Sequence, residues 1–131
     1  MLNWITKFLK NEEQESKLIV PLSASAKFEL KYGALPIGYL KVADGKWTFT
    51  YSEDFRSQDS IDVLTDFPDK NRVYQSDNLW PFFAHRIPGL GQPQIRSIME
   101  KENINENNEV DLLKRFGRKT IANPFELATS Y

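Results

Sequence analysis

Ser76 to Gly91 reads SDNLWPFFAHRIPGLG, with three aromatic side chains between Trp80 and Phe83 and a proline on either side of Phe82 and Phe83. A small domain has to bury rings at this density. If Asn78 caps a helix, its side chain accepts a backbone N–H, and Pro81 falls in the first turn, where its missing N–H is not needed. Helical spacing then places Leu79, Phe82, Phe83 and Ile87 on one face. Pro88 and Gly89 stop that helix, because proline disfavours helical geometry in the residue before it. Gln92-Pro93 opens a second helix with Pro93 at its first position.

Upstream the period changes from helix to strand. Phe28, Leu30 and Tyr32 alternate with charged neighbours, Gly33 interrupts, and Leu35 to Val42 follows. Asp44-Gly45 then joins Tyr39–Val42 to Trp47–Tyr51 in the manner of a tight hairpin. Trp47, Phe49 and Tyr51 share one face of the last strand, and Thr48 and Thr50 share the other. Leu18 to Leu22 (LIVPL) reads as an edge strand because it contains a proline. Ser52 to Ser76 lacks a sustained period and is expected to be loops, with a short strand or turn near Ile61 to Leu64.

Downstream, Asn103 to Asn108 (NINENN) is a polar turn, and Asn108 is placed to cap a third helix. Val110, Leu113 and Phe116 follow helical spacing there, Lys114 and Arg115 fall in the last turn, and Gly117 ends it. The expected fold is α+β: a small antiparallel sheet of about three to five strands, packed with about three helices in the C-terminal half. Residues 1–17 form an amphipathic extension (Met1 to Lys10) and a charged linker (Asn11 to Lys17). Residues 18–131 form the domain.

Composition narrows the function. With 131 residues the chain has room for one core, and 40% hydrophobic and 13% aromatic residues mark it as globular rather than disordered. It has no cysteine, which excludes a disulfide framework, a thiol nucleophile and a Cys-ligated metal, and fits a reducing cytoplasm. A net charge of -1 provides no global field for nucleic acid or anionic lipid, so no direct nucleic-acid partner is expected. No apolar run approaches the roughly 20 residues of a membrane span. Met1 to Lys10 is instead a short amphipathic stretch, expected to pack on this domain or on a partner, with a membrane-surface anchor as the alternative.

Candidate chemistry is sparse. His85, the single histidine, lies near the edge of the apolar face, where a general base or ligand would be reachable but a packed or interface role is commoner. The acidic pairs lack the spacing of a metal cage, and Asn103 to Asp111 lacks the glycine of a calcium loop. Gly89-Leu90-Gly91 follows a helix rather than a strand, which makes it a turn and not a phosphate cradle. Arg115 and Arg118 flank Gly117 and could receive a phosphate or carboxylate, or simply complement a helix end. No catalytic residue, metal ligand or cofactor is assigned.

Several of these segments, in order, resemble the N-terminal domain of HipA-family kinases. Phe82-Phe83 followed by Ile87-Pro88 resembles the family's F-F-x-x-x-[IL]-P, and Gly38 to Phe55 resembles its G-x-L… G-x-x-x-F-x-Y hairpin. Leu64 to Pro68 (LTDFP) stands at its L-S-x-x-L-P turn. Leu112 to Leu127 is similar to its L-L-x-x-x-G-R-D-x-x-G-A-x-x-L ending, except that Ala122-Asn123-Pro124 replaces the Gly-Ala. The resemblance covers Phe28 to Leu127, roughly three quarters of the chain.

The resemblance implies a protein-binding domain rather than an enzyme. A full HipA-like kinase continues past this domain into its catalytic core, whereas this sequence ends at Tyr131. The chain therefore resembles the HipS-like small subunits of three-part toxin–antitoxin systems. There the partner is a HipA-like kinase lacking its N-terminal domain, together with a helix-turn-helix DNA-binding protein. An alternative in the same setting is a structural subunit that completes a split kinase. The residues expected to touch the partner are Tyr74, Trp80, His85 and Arg86.

Overall fold

A computed structural model describes residues 25–130. The amphipathic start, the charged linker and the Leu18–Leu22 strand expected from sequence lie outside the described residues. Within them the chain runs β1 (Ala26–Tyr32), β2 (Leu35–Ala43), β3 (Lys46–Tyr51), α1 (Glu53–Arg56), β4 (Tyr74–Ser76), α2 (Pro81–Ala84), α3 (Pro93–Glu102), α4 (Glu109–Phe116) and β5 (Glu126–Ser130). All strand pairs are antiparallel, in the order β4-β3-β2-β1-β5. The fold is α+β, with five strands and four helices among the described residues.

The sheet follows from its hairpins. Asp44 and Gly45 both take positive φ, 53° and 76°, which is what a two-residue hairpin turn demands. That turn fixes the β2–β3 register, pairing Leu40 with Phe49 and Val42 with Trp47. Because side chains alternate, Phe28, Leu30, Leu40, Val42, Trp47, Phe49 and Tyr51 are buried together on one face. Gly38 lies where a Cβ would meet the Phe49 ring at 2.6 Å and the Thr50 carbonyl oxygen at 2.7 Å, so only glycine lets β2 and β3 approach there.

Helices and loops cover that face: Val110 and Leu113 from α4, Phe83 from α2, and Phe55, Leu64 and Phe67 from the segment between β3 and β4 belong to the same core. Met99 of α3 and Leu112 of α4 are buried as well. Asn108 caps α4 as its position predicts, its Oδ1 accepting from the Asp111 N–H at 3.1 Å, and Pro93 occupies the first turn of α3. Gly117 ends α4, and its N–H donates to the Leu113 carbonyl at 2.8 Å.

Three local expectations are corrected. Asn78 does not cap α2: the helix starts at Pro81 after Trp80, and Asn78 instead donates its backbone N–H to Ser76 Oγ at 3.0 Å. The Phe82 N–H donates to Asp66 Oδ2 at 2.9 Å, so the free N–H of this helix start is satisfied by a carboxylate sixteen residues upstream. The helix is also shorter than Pro88 would allow, since after Ala84 it passes into tight turns closed by Arg86 N–H to Phe83 and Ile87 N–H to Ala84. Finally, Ser52–Ser76 is not all loop. It contains α1, capped by Ser52, whose Oγ accepts from the Phe55 N–H at 3.0 Å, and the edge strand β4.

Candidate functional site

The Ser76–Gly91 stretch sits on a cluster of rings centred on one side chain from the preceding loop, Phe67, which is fully buried. Its ring stacks on Phe49 at 4.2 Å and meets Trp80 edge-on at 4.9 Å and Tyr74 at 5.0 Å. Phe83 lies 6.1 Å away. These are the offset and edge-to-face geometries aromatic pairs prefer. Two of the expected partner-binding residues, Tyr74 and Trp80, are thereby brought into contact with the same ring. Both remain partly exposed.

Two tyrosine hydroxyls fix the loop that delivers Phe67. Tyr51 accepts from the Leu64 N–H at 2.8 Å and donates to the Phe67 carbonyl at 2.7 Å. Burial pushes that hydroxyl up to about 12, against the lowering effect of the Leu64 N–H, so it stays protonated and able to donate. The Tyr74 hydroxyl accepts from the Asp69 N–H at 2.7 Å and donates to the Asp69 carbonyl at 3.1 Å. Arg72 lies over the Tyr74 ring at 5.3 Å. Tyr74 is thus held at both ends, and its position is set by the same loop that carries Phe67.

The other two expected residues part company. His85 is exposed, at the C-terminal end of α2. Arg86 is 4% exposed and turned inward. Its Nη1 donates to the carbonyls of Gly117 (2.9 Å) and Arg118 (3.2 Å), and its Nη2 to Asn123 Oδ1 (3.2 Å) and the Phe125 carbonyl (2.9 Å). Desolvation pulls the guanidinium down to about 10, which leaves it charged at neutral pH. Arg86 ties the end of α2 to the Gly117–Phe125 segment: its Nη donors meet three backbone carbonyls and the Asn123 side chain, while its buried Nε has no hydrogen-bond partner.

Arg115 and Arg118 also meet carboxylates of the chain: Arg115 Nε donates to Glu102 at 2.8 Å, and Arg118 Nε to Glu126 at 2.5 Å. Among the described residues no group of His, Asp or Glu side chains is placed to hold a metal ion. A cavity of about 660 Å³ lies away from the ring cluster, at the hairpin end of the sheet, and Lys27, Lys41, Lys46 and Lys114 line it. It has none of the aromatic residues of the Ser76–Gly91 stretch.

Two residues that matter here, Asp66 and Phe67, carried no role in the sequence reading. The available signal was the lone ring in LTDFP. What burial it would find is set by strands far away in sequence, which periodicity does not report.

The profile of the HipA N-terminal domain matches residues 29–122, most of the chain. The chain belongs to the HipA N-terminal domain family. That domain is non-catalytic and places the chain in a HipA-related toxin–antitoxin context. No curated protein matches the sequence. No described helix is long and apolar enough to cross a membrane.

Proposed function

We propose that this chain is a cytoplasmic, non-catalytic regulatory subunit that binds and neutralises a separately encoded HipA-like serine/threonine kinase lacking its own N-terminal domain. The observation that supports this reading most is the family match across residues 29–122. The ring cluster supplies a physical means. Trp80 and Tyr74 are held by Phe67 yet keep part of their surface free. Rigid, partly exposed aromatics of this kind are the usual anchors of a protein interface, because little side-chain freedom is lost when they are covered. His85 adds an exposed polar group on the adjoining turn. A helix-turn-helix protein that docks the pair on DNA is the third component of such a system.

Co-expression tests the proposal. The kinase alone is expected to arrest growth and the added chain to relieve the arrest, with Trp80→Asp losing the relief while the variant remains folded. Persistence of the arrest with the wild-type chain present refutes neutralisation. Arrest that appears only when both proteins are present indicates instead a subunit that completes a split kinase. ATP turnover by the purified chain would refute the non-catalytic assignment.

A further inference from the structure

The segment after α4 spends its polar groups on rigidity and leaves its tip bare. Ile121 has a relative exposure of 108%, the highest of the large apolar side chains among the described residues, and its neighbours Ala122 and Pro124 are exposed as well. Thr120 and Asn123 bridge across the turn, the Ala122 N–H donates to Thr120 Oγ1 at 3.2 Å, and the Phe125 N–H to Asn123 Oδ1 at 3.1 Å. Beneath them Arg86 donates to the Gly117, Arg118 and Phe125 carbonyls and to Asn123, and the Leu127 N–H closes the base on the Arg118 carbonyl at 2.8 Å. A buried guanidinium is costly to desolvate. Here it holds a turn whose tip contributes nothing to the core.

The surroundings continue the same surface. Phe125, directly after the turn, packs edge-on to the 46% exposed Tyr32 at 5.9 Å and lies 5.9 Å from Phe82 of α2. The turn therefore adjoins a strip of rings that reaches the Ser76–Gly91 stretch. Arg118 pairs with the Glu126 carboxylate, and Lys31 and Lys119 stand close enough to help hold that carboxyl below its usual range, chiefly set by the Arg118 hydrogen bond, so two further cations flank the pair.

Resting on the kinase-binding reading, we propose that Arg118–Pro124 is a preformed docking finger, with Ile121 as its tip, that inserts into an apolar pocket edged by carboxylates on the partner kinase. Pre-ordering removes the entropy that a flexible loop would lose on binding. The isoleucine supplies burial, and Lys31 and Lys119 supply the complement to an acidic rim.

The test measures binding of full-length variants to the immobilised kinase, with phosphatidylserine vesicles as a second probe. Ile121→Asp is expected to weaken kinase binding on the order of tenfold or more, mainly through faster dissociation, while Ile121→Leu stays near wild type. Lys119→Glu is expected to slow association and reduce its salt dependence. Melting curves of all three should match wild type, since these side chains carry no packing in the domain. If Ile121→Asp binds like wild type while Trp80→Asp does not, the finger is refuted and the kinase reading survives. If the wild-type chain binds no kinase, both fall. Vesicle binding lost in Ile121→Asp, with kinase binding unchanged, would assign the turn to a lipid surface and refute the proposal.

Discussion

Replacing Phe67 by alanine should be among the most damaging changes possible outside the strands. The ring is wholly buried and touches Phe49, Tyr74 and Trp80 within about 5 Å. Truncating a buried phenylalanine costs about 3–5 kcal/mol through lost transfer energy and the cavity left behind. The stacked and edge-on contacts put this site near the upper end. Domains of this size have about 5–15 kcal/mol in total. With a urea slope of about 1–3 kcal/mol per molar, a loss of about 4 kcal/mol lowers the midpoint by about 2 M. Phe67→Leu, which keeps most of the volume, should lose less than half of that. Tryptophan fluorescence of the folded Phe67→Ala protein should also shift to the red, since Trp80 loses its backing ring. The experiment is equilibrium urea unfolding followed by fluorescence and circular dichroism. A loss under about 1 kcal/mol would refute the view that this loop residue organises the aromatic core.

Further consequences follow from single contacts. Asp66→Ala removes the acceptor of the Phe82 N–H and should cost about 1 kcal/mol in urea unfolding, whereas Asn78→Ala, which caps nothing, should stay within about 0.5 kcal/mol. Gly38→Ala forces a methyl onto the Phe49 ring and the Thr50 carbonyl, and should destabilise by about 1–3 kcal/mol, with a lowered melting temperature as the readout. Glu109 is buried at the start of α4, and burial raises its pKa despite the facing Trp47 indole N–H, which lies outside hydrogen-bonding geometry. A carboxyl whose folded pKa is raised favours the native state below its ordinary value, and this advantage is lost as pH rises through the folded value. Glu109→Gln should therefore be more stable than wild type at pH 7, with the gap closing toward pH 4. A Gln variant less stable than wild type at pH 7 would contradict this sign.

Where the physics is local, the sequence was legible. Asp44-Gly45, Pro93 and Asn108 act through their own backbone positions, and each stands where its chemistry predicts. Gly117 also ends α4 where expected, but with φ at -87° rather than in a left-handed cap, and a Cβ there would meet the Leu113 carbonyl oxygen at 2.5 Å. Alternation in Trp47–Tyr51 announced the buried face in the same way. The start of α2 was not legible, because its acceptor comes from Asp66 and not from the neighbouring Asn78. The same limit explains Arg86. Beside an exposed His85 it looks like a surface cation, and only the return of the chain at residues 117–125 gives its guanidinium four acceptors. Of the proposed contact residues, the structure gathers Tyr74 and Trp80 around one ring, and that ring belongs to a loop without any periodic signal.

Hydrogen exchange of the full chain, alone and with the kinase, tests the central claim most directly. The account predicts slowed exchange on binding in residues 74–87 and 118–125, where the anchors and the Ile121 turn lie, with little change at Lys27, Lys41 and Lys46 on the hairpin end of the sheet. Protection confined to that lysine-lined end, with residues 74–87 unchanged, would contradict it.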